Sequence, residues 1–248
     1  MAPFQDVVKH HTVRPALPVD EYLRQIDTLV AAHDYFRQDL VVPAIGEGRA
    51  SREVVQRVAL ESYYVGKWTT PEVAMLIANA PDVYSFTMEH SSHYHHWAQR
   101  FADQAGYLRD PNHVDMKIEW CRQLGLTDDD IRGYTPLPET IAMTCTRLFY
   151  VRRSYEEGLA VLGYAGERVA AGSGHAKTLH EGLKTHYGIT ARDVEVHAHA
   201  EPDHGDEVSK LFRLVAVTHA VQERCRDAIR NVVLTAECRV RAMNRWIE

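Results

Sequence analysis

Apolar residues recur at spacings of three and four along most of the chain, the pattern of helices that bury one face. Val19 to Phe36, opening near Asp20, reads as a first helix. Ser51, with Glu53 and Val54 behind it, starts a second that runs to about Trp68. Thr70-Pro71 predicts the start of a third, since proline is well accommodated in a first helical turn. Asn79-Ala80-Pro81 ends it, and Asp82 begins a fourth that closes at Gly106. Residues 112–124 form a shorter helix before Gly125, and Thr127-Asp128-Asp129-Asp130 caps one further turn. Pro136 and Pro138 lead into a long helical stretch, 139–187, divided near Gly172 to Gly174. Residues 190–200 differ: Val194-Glu195-Val196-His197 alternates, which predicts an extended segment. From Pro202 to about Trp246 the helical pattern returns. No repeat or low-complexity linker interrupts the chain. The expectation is an all-α bundle of about seven to nine helices, with residues 1–248 as a single domain.

Composition narrows the function classes. The net charge of -6 argues against a nucleic-acid binder, which needs a basic surface. No apolar run is long enough to span a membrane, and the N-terminal residues lack the apolar centre of a secretion signal. Cys121, Cys145, Cys225 and Cys238 form no C-x-x-C pair and read as reduced thiols of a cytoplasmic protein. Histidine is the unusual residue: there are 15, and several stand near acidic residues.

Two clusters could carry chemistry. In Met88-Glu89-His90-Ser91-Ser92-His93-Tyr94-His95-His96-Trp97, helical register puts Glu89, His93 and His96 within roughly 60° of one another. In His197-Ala198-His199-Ala200-Glu201-Pro202-Asp203-His204, proline suits a helix start, so Glu201 and His204 share a face three residues apart. Glu-x-x-His presents a carboxylate and an imidazole to one ion. His197 comes from the extended segment before it. Glu89 and His96 are about 10 Å apart along the axis, which suits two ions better than one. Mixed histidine and carboxylate ligands favour iron or manganese over structural zinc. Glu167, on a stretch of small residues, is the candidate carboxylate from a third segment. Any one histidine is more often a surface or hydrogen-bonded core residue, and His175, His180 and His186 share no face and read as structural.

The run His96-Trp97-x-x-Arg100-Phe101-Ala102-Asp103-x-x-Gly106 resembles a helix end of the pyrroloquinoline-quinone synthase C and thiaminase II group, which has the heme-oxygenase-like all-α fold. The more specific resemblance is to the heme-oxygenase-like diiron oxidases. Their pattern is a Glu, a His about seven later, a distant Glu, then His-x-x-x-(Asp/Glu)-x-x-His. Glu89, His96, Glu167, His197, Glu201 and His204 fill it in order. Glu156 and Glu157 are fallbacks for Glu167. His199 could replace His197, because alternate residues of an extended segment face the same way, and His93 could be an extra or supporting ligand. The resemblance implies two ferrous ions, O2 as co-substrate, and oxidation of a small amino-acid-derived or other carboxylate substrate in natural-product biosynthesis. N-oxygenation, desaturation and oxidative C–C cleavage are the reaction types implied. It also implies a homodimer.

A carboxylate substrate calls for an arginine fork. Of Arg147, Arg152 and Arg153, Arg152 is the candidate, with Tyr63 as an aromatic contact and Lys177 as a further cation; an exposed basic turn is the plainer reading of Arg152. The rivals are a cofactor-free oxidase resembling pyrroloquinoline-quinone synthase C, a cysteine-dependent hydrolase resembling thiaminase II, a mononuclear zinc hydrolase, and a non-catalytic interaction protein.

Overall fold

The computed structural model of the protein describes residues 14–80 and 113–247, with residues 113, 167, 168, 171, 172 and 199–209 given by backbone only. The predicted fourth helix, and with it Glu89, His93 and His96, lies outside the described residues.

Every regular element among the described residues is helical. In chain order they are α1 (Val19–Ala32), α2 (Val41–Gly46), α3 (Arg52–Asn79), α4 (His113–Gln123), α5 (Asp128–Gly133), α6 (Pro138–Arg153) and α7 (Tyr155–Leu159). A π-helical segment, π1 (Ala160–Arg168), follows directly, then α8 (Val169–Ser173), α9 (His175–Gly182), a second π segment, π2 (Leu183–Tyr187), α10 (Arg192–Val215) and α11 (His219–Asn244). The all-α expectation stands. The segments outnumber the seven to nine expected because α2 and α5 are short and the 139–187 stretch is cut twice.

Local chemistry sets the boundaries. Ser51 caps α3 by accepting from the Val54 N–H at 3.2 Å. Thr127 and Asp130 form a reciprocal capping box at α5. Ser154 interrupts the 139–187 stretch by accepting from the Glu157 N–H at 3.2 Å. Gly174, at φ 68°, divides α8 from α9 in a conformation that side chains other than glycine rarely adopt.

Three expectations need correction. Residues 52–79 are one helix, not two, and Pro71 lies inside it. An interior proline costs a backbone hydrogen bond, but buried residues on both sides of it, from Val54 to Leu76, hold the rod together. Residues 192–200 are helical, not extended. Four alternating residues are too few to fix a strand without a partner, and Asp193 and Glu195 in the first turn favour a helix start. The last stretch is broken at 216–218, where Thr218 caps α11 through the Val221 N–H at 3.3 Å.

The core has two centres. One joins Tyr22 and Ile26 of α1, Leu159 to Ala165 of the α7–π1 rod, Phe212 of α10 and Ile229 of α11. The other joins Ile45, Val55 and Ala59, Trp120 and Cys121, Leu183 and Val194. Glu61 accepts from the Leu137 N–H, Arg147 pairs with Glu72, and Asn79 donates to the Val151 carbonyl, so α3 and α6 run parallel. No helix among the described residues is long and apolar enough to cross a membrane.

Candidate metal centre

Helix α10 is anchored at both ends. Val194 is buried in the second core centre. Phe212 is fully buried in the first, with ring centroids 6.1 Å from Tyr22 and 5.1 Å from Tyr164. Positions 197, 201 and 204 lie between those anchors. In one continuous helix they fall within an arc of about 60°, so the helical correction brings His197 into register with Glu201 and His204. It also removes the ground for exchanging His199 with His197, since residues two apart in a helix differ by about 200°. The π1 segment packs along α10, and Glu167 belongs to π1. Single π turns recur at functional sites.

His197 is the predicted ligand whose side chain is described. Its Nδ1 lies 2.7 Å from the main-chain oxygen of Asp193, one turn earlier. The carbonyl can only accept, so Nδ1 carries a proton, and Nε2 is the ring nitrogen that could bind a metal. That is how a helical histidine is set up to ligate a metal. Asp193 is itself fixed: its carboxylate pairs with Lys117 of α4, whose Nζ also donates to the Ser62 hydroxyl at 3.2 Å. Lys117 reaches both across Gly66 of α3. A Cβ at Gly66 would stand 2.4 Å from Lys117 Cε, so the missing side chain is the passage for the lysine. Both ends of the ion pair are largely buried, at 12% and 4% side-chain exposure.

Among the described residues no group of three or more His, Cys, Asp and Glu side chains comes together to hold a metal ion. Of the six predicted ligands, Glu89 and His96 lie outside the described residues, and Glu167, Glu201 and His204 are given by backbone only. The fit to a metal rests on the His197 tautomer, the shared register of 197, 201 and 204, and the packing of π1 on α10.

Other predicted residues are placed plainly. Arg152 is exposed. Lys177 is 73% exposed and faces Glu181 at 4.0 Å. Tyr63 is half-buried against the second core centre, with Lys67 near its ring. Glu157, a fallback for Glu167, is buried and engaged by Ser154 and by Arg153 at 3.4 Å. All four cysteines are free; burial pushes the Cys121 and Cys225 thiols up to about 12, and Cys145 and Cys238 are exposed.

Sequence reasoning missed a polar seam between α3 and α6. Glu61 accepts from the Tyr134 hydroxyl at 2.6 Å and the Leu137 N–H at 2.8 Å. Arg147 pairs with Glu72 at 2.5 Å, and Arg239 of α11 donates to the Thr140 hydroxyl at 3.1 Å. Burial raises the Glu72 pKa, with Arg147 opposing. Tyr35, pushed up to about 12 by burial against the pull of Arg147 and Arg239, donates to the Ala165 carbonyl of π1 at 3.4 Å. A signal was present: Glu61 and Glu72 occupy the apolar register of α3, in line with Val54, Val58, Val65, Trp68 and Leu76.

Comparison with known proteins adds independent findings. The model of a protein family described as iron-containing redox enzymes matches residues 56–238. Among solved structures, a TenA homolog from Pseudomonas syringae pv. tomato superposes with a TM-score of 0.67 at 14% identity, over 94% of this chain and 99% of that one. A domain of unknown function with a heme oxygenase-like fold from Shewanella denitrificans gives 0.64 at 14% identity, over 92% and 93%. A TenA homologue from P. horikoshii gives 0.65 at 14% identity, over 93% and 100%. At such identity the likeness speaks for the fold. No curated protein matches the chain by sequence.

Proposed function

The chain belongs to the iron-containing redox enzyme family and has the heme-oxygenase-like fold; from that premise we propose that it is a non-heme diiron oxidase or oxygenase that uses O2 to oxidise a small carboxylate substrate. Glu89, His96, Glu167, His197, Glu201 and His204 are the proposed ligands. Bound ferrous iron would supply the electrons for O2 reduction. The observation that carries the reading is the His197 imidazole, whose Nδ1 proton is held by the Asp193 carbonyl, which leaves Nε2 as the nitrogen for a metal. Glu201 and His204 follow in the same register of α10, and π1, the element that carries Glu167, packs along that helix. Lys117 pairs with Asp193 in the first turn of α10 and so ties the helix that carries the imidazole to α4.

The two buried cysteines oppose a thiol-dependent hydrolase built on either of them. Cys121 and Cys225 are buried with thiols pushed far above neutrality, and Glu157 and Glu156 push Cys225 further the same way. Neither is an activated nucleophile.

The test is anaerobic loading with ferrous iron, a count of bound iron, and O2 uptake on mixing. His204→Ala and His197→Ala are expected to lose iron and O2 uptake while circular dichroism stays helical. Undiminished iron binding and O2 uptake in both variants would overturn the assignment.

A further inference from the structure

Among the described residues, the α3–α6 seam holds five buried polar atoms with no hydrogen-bond partner: Glu61 Oε2 near its start and, closer together, Trp68 Nε1, Glu72 Oε1, Thr144 Oγ1 and Arg147 Nε. The parallel register of the two helices sets Trp68 level with Thr144, and Glu72 with Arg147 about one turn on. Thr144 is 0% and Glu72 1% exposed. Native interiors leave few such atoms unmatched. Four on adjacent turns carry a penalty that is a large part of a domain's net stability.

The balance of donors identifies the chemistry. The indole N–H and the guanidinium Nε–H can only donate, and the threonine hydroxyl can donate as well. Against these three stands, at this level of the seam, one unmatched acceptor, Glu72 Oε1; the other, Glu61 Oε2, lies about two turns before Trp68 on α3. An occupant that only accepts satisfies three of the four; a neutral amide or an alcohol brings a donor for which only Glu72 is available. Arg147 supplies the cation; it pairs with Glu72 at 2.5 Å through a terminal nitrogen, and its Nε is the nitrogen left for an occupant. Arg147 acts electrostatically on Tyr35, whose hydroxyl reaches Ala165, two residues before Glu167. Helix α6, which forms one side of the seam, also packs against π1.

We propose that Trp68, Thr144 and Arg147 form a carboxylate-binding site in the α3–α6 seam, which holds the acidic head of the small molecule the enzyme oxidises. The binding site stands on the seam alone; its role as substrate anchor rests on the oxidase reading above. The site also replaces Arg152, which is exposed, with Arg147 as the arginine that receives the substrate.

The probe is acetate, the head group itself, titrated by 13C line broadening into the full chain with and without ferrous iron. Saturable binding is expected in both. Thr144→Val and Trp68→Phe leave the Glu72–Arg147 pair in place, and each is expected to weaken acetate about tenfold. Thr144→Val, nearly isosteric, should also keep or raise the Tm without acetate, because it removes an unmatched buried hydroxyl. Acetamide should not compete. Absence of saturable binding, unchanged affinity in both variants, or equal competition by acetamide would overturn the proposal. Acetate binding with this variant pattern but no iron uptake would leave the site standing and remove the oxidase reading; iron uptake with acetate indifferent to the variants would do the reverse.

Discussion

The imidazole Nδ1 of His197 lies 2.7 Å from the carbonyl oxygen of Asp193, and the carboxylate of that same aspartate is gripped by Lys117. One residue thus uses its main chain to set a histidine tautomer and its side chain to pin the helix that carries it. Lys117→Met would leave Asp193 as a buried charge without its cation, which costs about 3–5 kcal/mol. Chemical denaturation should show that loss. The double change Lys117→Met with Asp193→Leu should recover most of it, because removing both charges leaves none uncompensated.

Gly66 makes the Lys117 grip possible. A methyl group there would meet Lys117 Cδ at 2.5 Å and Cε at 2.4 Å. Gly66→Ala should therefore destabilise by about 1–3 kcal/mol, although alanine is the better helix former in an exposed position. A rise in Tm on this substitution would mean that the lysine has another route.

The Glu72 carboxyl gives a pH test. Burial raises its folded pKa above the ordinary 4.5, so the native state holds a proton that the unfolded state has released. Its contribution is fully present below the unfolded value and is lost as pH rises through the folded one. Glu72→Gln lacks this titration. The stability of the wild type relative to Glu72→Gln should fall as pH rises from about 4.5 and level off above the raised pKa. A difference that grows with pH would show that Arg147 outweighs burial.

Much of this was legible in the sequence, and the failures have physical causes. The caps at Ser51, Thr127 and Thr218 fix the starts of α3, α5 and α11 through side-chain hydrogen bonds, and two of the three are written in residue order. The divide expected near Gly172 to Gly174 falls at Gly174, whose φ of 68° other residues rarely adopt. Pro71 misled, since local chemistry favours a helix start there while packing on both sides carries α3 through. Val194-Glu195-Val196-His197 misled for the opposite reason: four residues suit either period, and the Lys117 ion pair, invisible to local pattern, belongs to the helix. That error concealed the best feature of the candidate site, the common register of His197, Glu201 and His204. The α3–α6 seam was missed because Arg147, Arg152 and Arg153 look alike in sequence; burial of one and exposure of another separate them.

Iron stoichiometry tests the central claim most directly. Metal-free protein is loaded with ferrous iron under nitrogen, bound iron is counted, and O2 consumption is followed after mixing. About two irons per chain are expected, with O2 uptake that depends on them and loss of both in Glu89→Ala and His204→Ala with helical content retained. A chain that takes up no iron, or that consumes O2 equally well in both variants, would contradict that claim.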